Sequence, residues 1–360
     1  MDTIIAQKTR SGQSGNYTKK LTLISDAWHP QVNGVVRSIE NTNAELDKMG
    51  VQITMITPDM FRSVPMPTYP EIRLALASYG HVARLIEAST PDYVHIATEG
   101  PLGFKARKWC LKNGMPFTTS YHTRFPEYVS ARAPIPKDWL YKFVRNFHNS
   151  GNGCMVATDS LEQELRERGI KNLMRWGRGI DAEHFHPQPQ EEKPFGLERP
   201  IFLTVARVAV EKNLPAFLEL DLPGSKVLVG DGPARKALEE KYPDTYFAGQ
   251  LSNGKLAAAY AQADVFVFTS KTDTFGNTTI EALASGVPVA AFPVTGPRDI
   301  LDGHEEAGAL DEDLKAACLK ALDCSREKAR ALAEEFSWEA AARQFYDNMI
   351  EAHDRPSERS

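Results

Sequence analysis

Short apolar runs alternate with amphipathic stretches along most of this chain. Leu21–Ser25, Val51–Thr57, Tyr93–Ala97, Pro116–Tyr121 and Gly153–Ala157 read as buried strands. Between them lie stretches of helical character: Ser38–Met49, Val82–Ala88, Lys105–Asn113 and Trp139–Asn149. The second half repeats the theme with Ile201–Ala206, Lys226–Val229, Thr245–Ala248, Asp264–Phe268 and Val287–Ala291. Such alternation predicts an α/β chain with parallel sheets covered on both faces.

The pattern breaks at 184–200, where His186-Pro187, Gln188-Pro189-Gln190, Glu191-Glu192 and Lys193-Pro194 carry no helical period. A chain of 360 residues suits two domains. The simplest organisation places doubly wound domains at 20–183 and 201–336, joined by that linker. Residues 1–19 are polar and read as a disordered tail. Residues 337–360 hold a last amphipathic helix, Ser337 to Asp354, with Trp338, Phe345, Tyr346, Met349 and Ile350 as packing residues, and then a tail.

Composition narrows the function classes. A net charge of −5 argues against wholesale nucleic-acid binding. No apolar run approaches the roughly 18–20 residues that cross a bilayer, and the N-terminus lacks the apolar core of a secretion signal. Cys110, Cys154, Cys318 and Cys324 form no C-x-x-C pair, which fits a reduced compartment, so the expected location is cytoplasmic. No D-x-D pair ends a strand, and no metal or cofactor is expected.

In a doubly wound sheet, ligands bind outside the carboxyl ends of the strands, so the loops there are searched first. Thr272-Asp273-Thr274-Phe275-Gly276-Asn277-Thr278-Thr279-Ile280-Glu281 follows a strand and opens a helix. Free N–H groups at a helix start favour phosphate, and the carboxylates Asp273 and Glu281 can accept from sugar hydroxyls. A capped turn, with Asp273 and Thr278 as turn and cap residues, explains the same letters. Arg207 and Lys212 follow the first strand of the second half and can neutralise a diphosphate, and Gly230-Asp231-Gly232-Pro233 ends the next strand. His122 follows the strand Pro116–Tyr121 and faces the expected crevice. Gly34 stands where a backbone approaches a ligand closely or takes an unusual dihedral; no G-x-G-x-x-G accompanies it. On the 135–148 segment, Trp139, Leu140, Phe143, Val144 and Phe147 run beside Lys137, Lys142, Arg145 and His148, a face for the sheet or for anionic lipid. Lys105, Arg107, Lys108 and Lys112 add a second basic edge.

Together these residues resemble the group-four family of retaining glycosyltransferases. The marks, in order, are Pro30-Gln31-Val32-Asn33-Gly34-Val35-Val36, Tyr121-His122-Thr123, Gly177-Arg178-Gly179-Ile180-Asp181, Arg207 with Glu211-Lys212-Asn213, Gly230-Asp231-Gly232-Pro233, and Asp273 to Val289. The resemblance implies the GT-B fold, two Rossmann-like domains facing across a cleft, with the acceptor on the first domain and a nucleotide sugar on the second. It also implies a last helix that crosses back to the first domain.

The residue roles it implies are as follows. Gly34 approaches the donor phosphate, His122 bonds the transferred sugar, and Arg207 and Lys212 hold the diphosphate, with Gly230 beside them. Asp273 and the backbone of Phe275, Gly276, Asn277 and Thr278 bind the sugar and phosphate, and Glu281 holds the ribose. Asp273 replaces the family's usual glutamate, one methylene longer.

The Thr272–Asn277 pattern, the Val32–Ile39 opening and Pro67-Thr68-Tyr69-Pro70-Glu71-Ile72 resemble members that glycosylate diacylglycerol or related lipids. The implied activity is metal-independent transfer of a hexose or hexuronic acid from UDP-glucose, UDP-galactose or UDP-glucuronate to a lipid hydroxyl. It would take place peripherally on the inner face of the cell membrane. A soluble sugar or polysaccharide acceptor, a nucleotide-sugar epimerase and a non-catalytic nucleotide-sugar-binding protein remain as alternatives.

Overall fold

The computed structural model describes residues 18–31, 33–66, 69–130, 136–191, 194–252 and 254–355. All but Thr18 and Lys19 of the expected N-terminal tail, the final residues 356–360, Ile135 at the start of the 135–148 segment, Val32, and Pro67 and Thr68 of the lipid-type pattern lie outside the described residues.

Among the described residues, fourteen strands follow one another. They are β1 Lys19–Ile24, β2 Val51–Ile56, β3 Ser63–Met66, β4 Tyr69–Ala75, β5 Tyr93–Ile96, β6 Phe117–Ser120, β7 Gly153–Val156, β8 Leu173–Arg175, β9 Ile201–Val205, β10 Ser225–Val229, β11 Thr245–Gly249, β12 Val265–Phe268, β13 Val289–Ala291 and β14 Gly308–Leu310. Twelve of them form two six-stranded parallel sheets, in the orders β2-β1-β5-β6-β7-β8 and β11-β10-β9-β12-β13-β14. The expected α/β class with two Rossmann-like parallel sheets is what the chain forms. In the first lobe β2 is followed along the chain by an antiparallel hairpin, β3 with β4, whereas in the second β10 is followed by a third parallel strand, β11.

The sheets are buried on both sides, as their uninterrupted apolar runs require. Phe202, Leu228, Val265 and Val267 pack in one layer of the second lobe, while Leu203, Val227, Val229 and Phe266 pack in the opposite one. In the first lobe, Ile24, Val94 and Ile96 join one layer, and Leu21, Leu23 and Met155 join the other.

The chain passes between lobes twice. The first passage leaves β8, and the second precedes the Trp338–Asp354 helix, whose Ala342, Phe345 and Met349 pack against Leu21, Leu23 and Trp176 of the first lobe. The passages lie side by side: Ile180 N–H donates to the Phe336 carbonyl at 3.1 Å. A Cβ on Gly179 would lie 2.3 Å from the Trp338 nitrogen.

In both sheets the strand order reverses beside the central strand, β1 against β5 and β9 against β12. The crevices at the carboxyl ends of these pairs are where such folds bind ligands.

Candidate active site

The second lobe supplies most of the site. Arg207 is half-buried just beyond β9. It is followed by the 3-10 turn Val210–Lys212, which ends at Asn213 in the left-handed region, φ 51°. Thr269, just past β12, binds this turn: its hydroxyl donates to the Lys212 carbonyl at 2.5 Å, and Asn213 Nδ2 donates to the Thr269 carbonyl at 3.2 Å. Lys212 is thereby held against Asp273, Nζ to Oδ1 2.6 Å, with 22% and 15% of the two side chains exposed.

Two glycines make this convergence possible. Gly230, past β10, has φ 144°, and a Cβ there would stand 1.8 Å from the Ala206 carbonyl oxygen, so only glycine lets that loop lie beside the Arg207 segment. Gly276 is the N-cap of the Asn277–Ala284 helix at φ 85°, with no side-chain capping bond. The capped-turn alternative therefore misplaces the cap: Thr278 lies within the first turn and Gly276 precedes it. Phe275 is buried, its ring 5.9 Å from that of Phe336.

Glu281, one turn further along the same helix, is buried among apolar neighbours, yet both its oxygens are bonded. Oε1 accepts from Arg37 Nη1 at 2.9 Å and Oε2 from the Tyr260 hydroxyl at 2.8 Å. Burial pushes its carboxyl above the ordinary range, against the pull of Arg37 and Tyr260.

Arg37 belongs to the first lobe. It sits on the Gly34–Lys48 helix, one turn past its N-cap, Asn33, whose Oδ1 accepts from Val35 and Val36 N–H at 3.0 and 3.1 Å. Gly34 takes no left-handed dihedral, which settles one of the two reasons expected for a glycine there. Close approach is the other: a Cβ would stand 3.0 Å from Asn277 Nδ2 of the opposite lobe. Thr274 makes a further contact across the cleft, its hydroxyl donating to the His122 carbonyl at 2.8 Å. Ser160 makes another, its Oγ donating to Asp299 Oδ2 at 2.6 Å.

His122 follows β6 by two residues. Its ring lies 5.4 Å from that of Trp176, and its Nδ1 accepts from Arg178 Nη2 at 3.3 Å. The structure thus gathers Gly34, His122, Lys212, Asp273, Asn277 and Glu281 along one cleft. Among the described residues, no group of three or more His, Cys, Asp or Glu is placed to hold a metal ion.

The 137–148 stretch is a helix, Lys137–His148, and its apolar residues divide. Tyr141, Val144 and Phe147 are buried, whereas Trp139 is 74% and Phe143 42% exposed. The apolar arc is wider than the sheet can cover, so the expected single face is two. Phe104 and Phe125 flank Phe143, with ring centroids 5.1 and 6.2 Å away.

Comparison with known proteins identifies the family. The model described as Glycosyltransferase Family 4 matches residues 32–184, and that described as Glycosyl transferases group 1 matches 199–324. The GDP-mannose-dependent alpha-mannosyltransferase of Mycolicibacterium smegmatis is 30% identical over 322 residues, 82% of this chain and 85% of that protein. The chain is a family 4 glycosyltransferase. This glycosyltransferase is also 28% identical to the sulfoquinovosyl transferase SQD2 of Arabidopsis thaliana, over 89% of its own length and 71% of that protein. It is 26% identical to the alpha-monoglucosyldiacylglycerol synthase of Streptococcus pneumoniae, over 91% and 83% of the two chains.

Its fold is GT-B. The sucrose-phosphate synthase of Thermosynechococcus elongatus superposes with a TM-score of 0.74 at 19% identity, covering 91% of this chain and 98% of that one. Anabaena HepE, solved in complex with UDP-glucose, gives 0.71 at 13% identity, covering 92% and 99%.

Residue-level reading of the sequence left three participants without a role. Arg178 stood within the Gly177-Arg178-Gly179-Ile180-Asp181 mark of the resemblance and Arg37 within the Val32–Ile39 opening, neither with a task of its own. Tyr260 gave no signal, because an aromatic in an alanine-rich helix reads as core, and it is also core.

Proposed function

We propose that the protein transfers a hexose or hexuronic acid, with retention of the α configuration and without a metal, from a nucleoside diphosphate sugar to a hydroxyl of a diacylglycerol-type lipid. One observation carries the reading: Lys212, Asp273 and the uncapped start of the Asn277–Ala284 helix converge at one end of the cleft. Arg207 and Lys212 would take the diphosphate, the helix start would face its oxygens, and Asp273 would meet the sugar hydroxyls. Glu281 would hold the ribose and His122 the transferred sugar.

The bond from the sugar's anomeric carbon to the phosphate oxygen breaks as the bond to the acceptor oxygen forms on the same face. The acceptor proton passes to the departing phosphate. Catalysis then rests on orientation and on stabilising the charge that grows on the leaving group. Closure of the lobes on the donor, about the paired passages, would exclude water.

The lipid acceptor draws support from the relative named for monoglucosyldiacylglycerol. The outward ridge of Trp139 and Phe143, beside exposed Lys137 and Lys142, suits peripheral attachment to an anionic cytoplasmic leaflet. UDP-hexoses are the first donors in this reading. GDP-mannose is the competing donor, because several relatives, that of Mycolicibacterium smegmatis among them, are named for it.

The test is to incubate the purified protein with UDP-glucose, UDP-galactose, UDP-glucuronate and GDP-mannose, with and without diacylglycerol micelles and with EDTA, and to identify products by mass. A glycosylated lipid formed in EDTA is the expected result. Altered free sugar without acceptor would replace the reading with an epimerase, and binding without turnover would replace it with a sensor.

A further inference from the structure

We propose that Arg178 is a positioning residue that fixes the His122 imidazole as a neutral hydrogen-bond donor toward the transferred sugar. The proposal rests on the reading above that His122 meets that sugar.

Arg178 lies just past β8, and its guanidinium is itself held on three sides. Nη1 donates to the Trp176 and Gly177 carbonyls at 2.8 and 2.9 Å, and the guanidinium carbon stands 4.4 Å from the centre of the Trp176 ring. Among the described residues no carboxylate forms an ion pair with it, although the residue is only 6% exposed. Nη2 is directed at His122 Nδ1. A guanidinium has donors and no acceptor, so Nδ1 must carry the lone pair and the ring proton must sit on Nε2. That Nε2 is buried and has no protein hydrogen-bond partner among the described residues. A buried donor left unmatched by the fold is what a sugar oxygen can use, and only one tautomer provides it.

The surroundings favour the neutral ring. Beyond Arg178, His122 faces His95 of β5 and His148 of the Lys137–His148 helix. His95 has both nitrogens bonded, to the hydroxyls of Thr118 at 2.8 Å and Ser120 at 2.9 Å. His148 is bonded to Thr119 at 2.8 Å and to Glu99 at 2.9 Å. Trp176 covers the ring of His122 and brings no charge. Burial first, and then the positive Arg178, hold the His122 imidazolium well below its usual range.

The direct test is ¹⁵N NMR of the histidines in the full-length wild-type protein, with His122→Gln used to assign the His122 signals. The expected result is a neutral ring protonated at Nε2 from pH 8 down to pH 5. A ring protonated at Nδ1, or charged at pH 6, overturns the proposal.

Kinetics supply the second arm. Wild-type kcat should show no histidine step over this range. Arg178→Met should lower kcat about tenfold at pH 8, the loss of one well-aimed hydrogen bond, and introduce an acid limb at the low end of this range, with a midpoint still below the ordinary histidine value of about 6.5 because the ring stays buried. Arg178→Lys, which keeps a donor, should restore the flat profile. In a His122→Ala background, Arg178→Met should add no further loss.

Equal losses at every pH, or losses that multiply in the double variant, would show that Arg178 only supports the fold. Full activity of His122→Ala would instead sink the sugar contact of His122, and with it the purpose assigned to Arg178, while the NMR result would still report the tautomer.

Discussion

Arg37 of the first lobe and Glu281 of the second are joined across the cleft by an ion pair of 2.9 Å. The remaining oxygen of Glu281 is taken by Tyr260. A ribose that uses this carboxylate competes there with the guanidinium, because each of its buried oxygens already holds one partner. Arg37→Ala is expected to tighten binding of the nucleoside diphosphate by about three- to tenfold, the worth of a partly exposed charge-assisted bond. Calorimetric titration checks it. Unchanged or weaker binding would mean that Arg37 stays on Glu281 when the nucleotide is bound.

Lys212 is held in the site through its turn, Thr269 and Asp273. Lys212→Ala should lower kcat by more than ~100-fold, as for loss of one group directed at charge that grows in the transition state. Lys212→Arg should recover only part of this, because a planar fork does not fill the place of a compact ammonium. Steady-state kinetics on variants with wild-type circular dichroism decide the matter. Undiminished turnover would remove Lys212 from the mechanism.

Acid should destabilise the first lobe through two of its histidines, His95 and His122, which burial lowers. Burial lowers the His95 imidazole to about 3, while in the unfolded chain it titrates near 6.5. Between those values the unfolded chain binds a proton that the folded one refuses. Stability is therefore present above pH 6.5 and lost as the pH falls, by about 1.4 kcal/mol per unit for such a group. His122, also lowered, acts in the same direction. His95→Gln should reduce the dependence of unfolding free energy on pH between 6 and 4.5 by about that amount. Urea titrations at several pH values measure it, and an unchanged slope would place a charged His95 inside the fold.

The Trp139 and Phe143 ridge should govern attachment to anionic vesicles. Replacing both by Ser is expected to weaken co-flotation with phosphatidylglycerol vesicles at least about tenfold, while changing stability by roughly 0.5 kcal/mol or less for the more exposed Trp139. Binding by the wild type should fall with salt, since Lys137 and Lys142 contribute through a screened field. Flotation that is indifferent to both substitutions would assign the ridge to another purpose.

Much of this architecture was legible in the letters, because parallel strands buried on both faces are written as continuous apolar runs. β1, β5, β9 and β12 are recognisable within a residue or two for that reason. The three-residue strands β8 and β14 escaped, as did the hairpin of β3 and β4, being too short or too polar to carry a period. The candidate site was legible where a loop follows a recognisable strand, as at His122, Arg207 and Asp273. It was not legible where function depends on a meeting of distant residues. Nothing near Glu281 in sequence announces Arg37, 244 positions away, and nothing in the Gly177–Gly179 segment announces that its arginine reaches His122.

The bond from Ile180 to Phe336 has a mechanical consequence. Two strands of chain that run between the halves at separate places would lock them, and a single strand would let them swivel freely. Two strands fastened together leave one axis, about which the halves can open as covers do about a spine. A bulky residue in place of Gly179 would wedge that spine apart and misalign both binding surfaces without touching either.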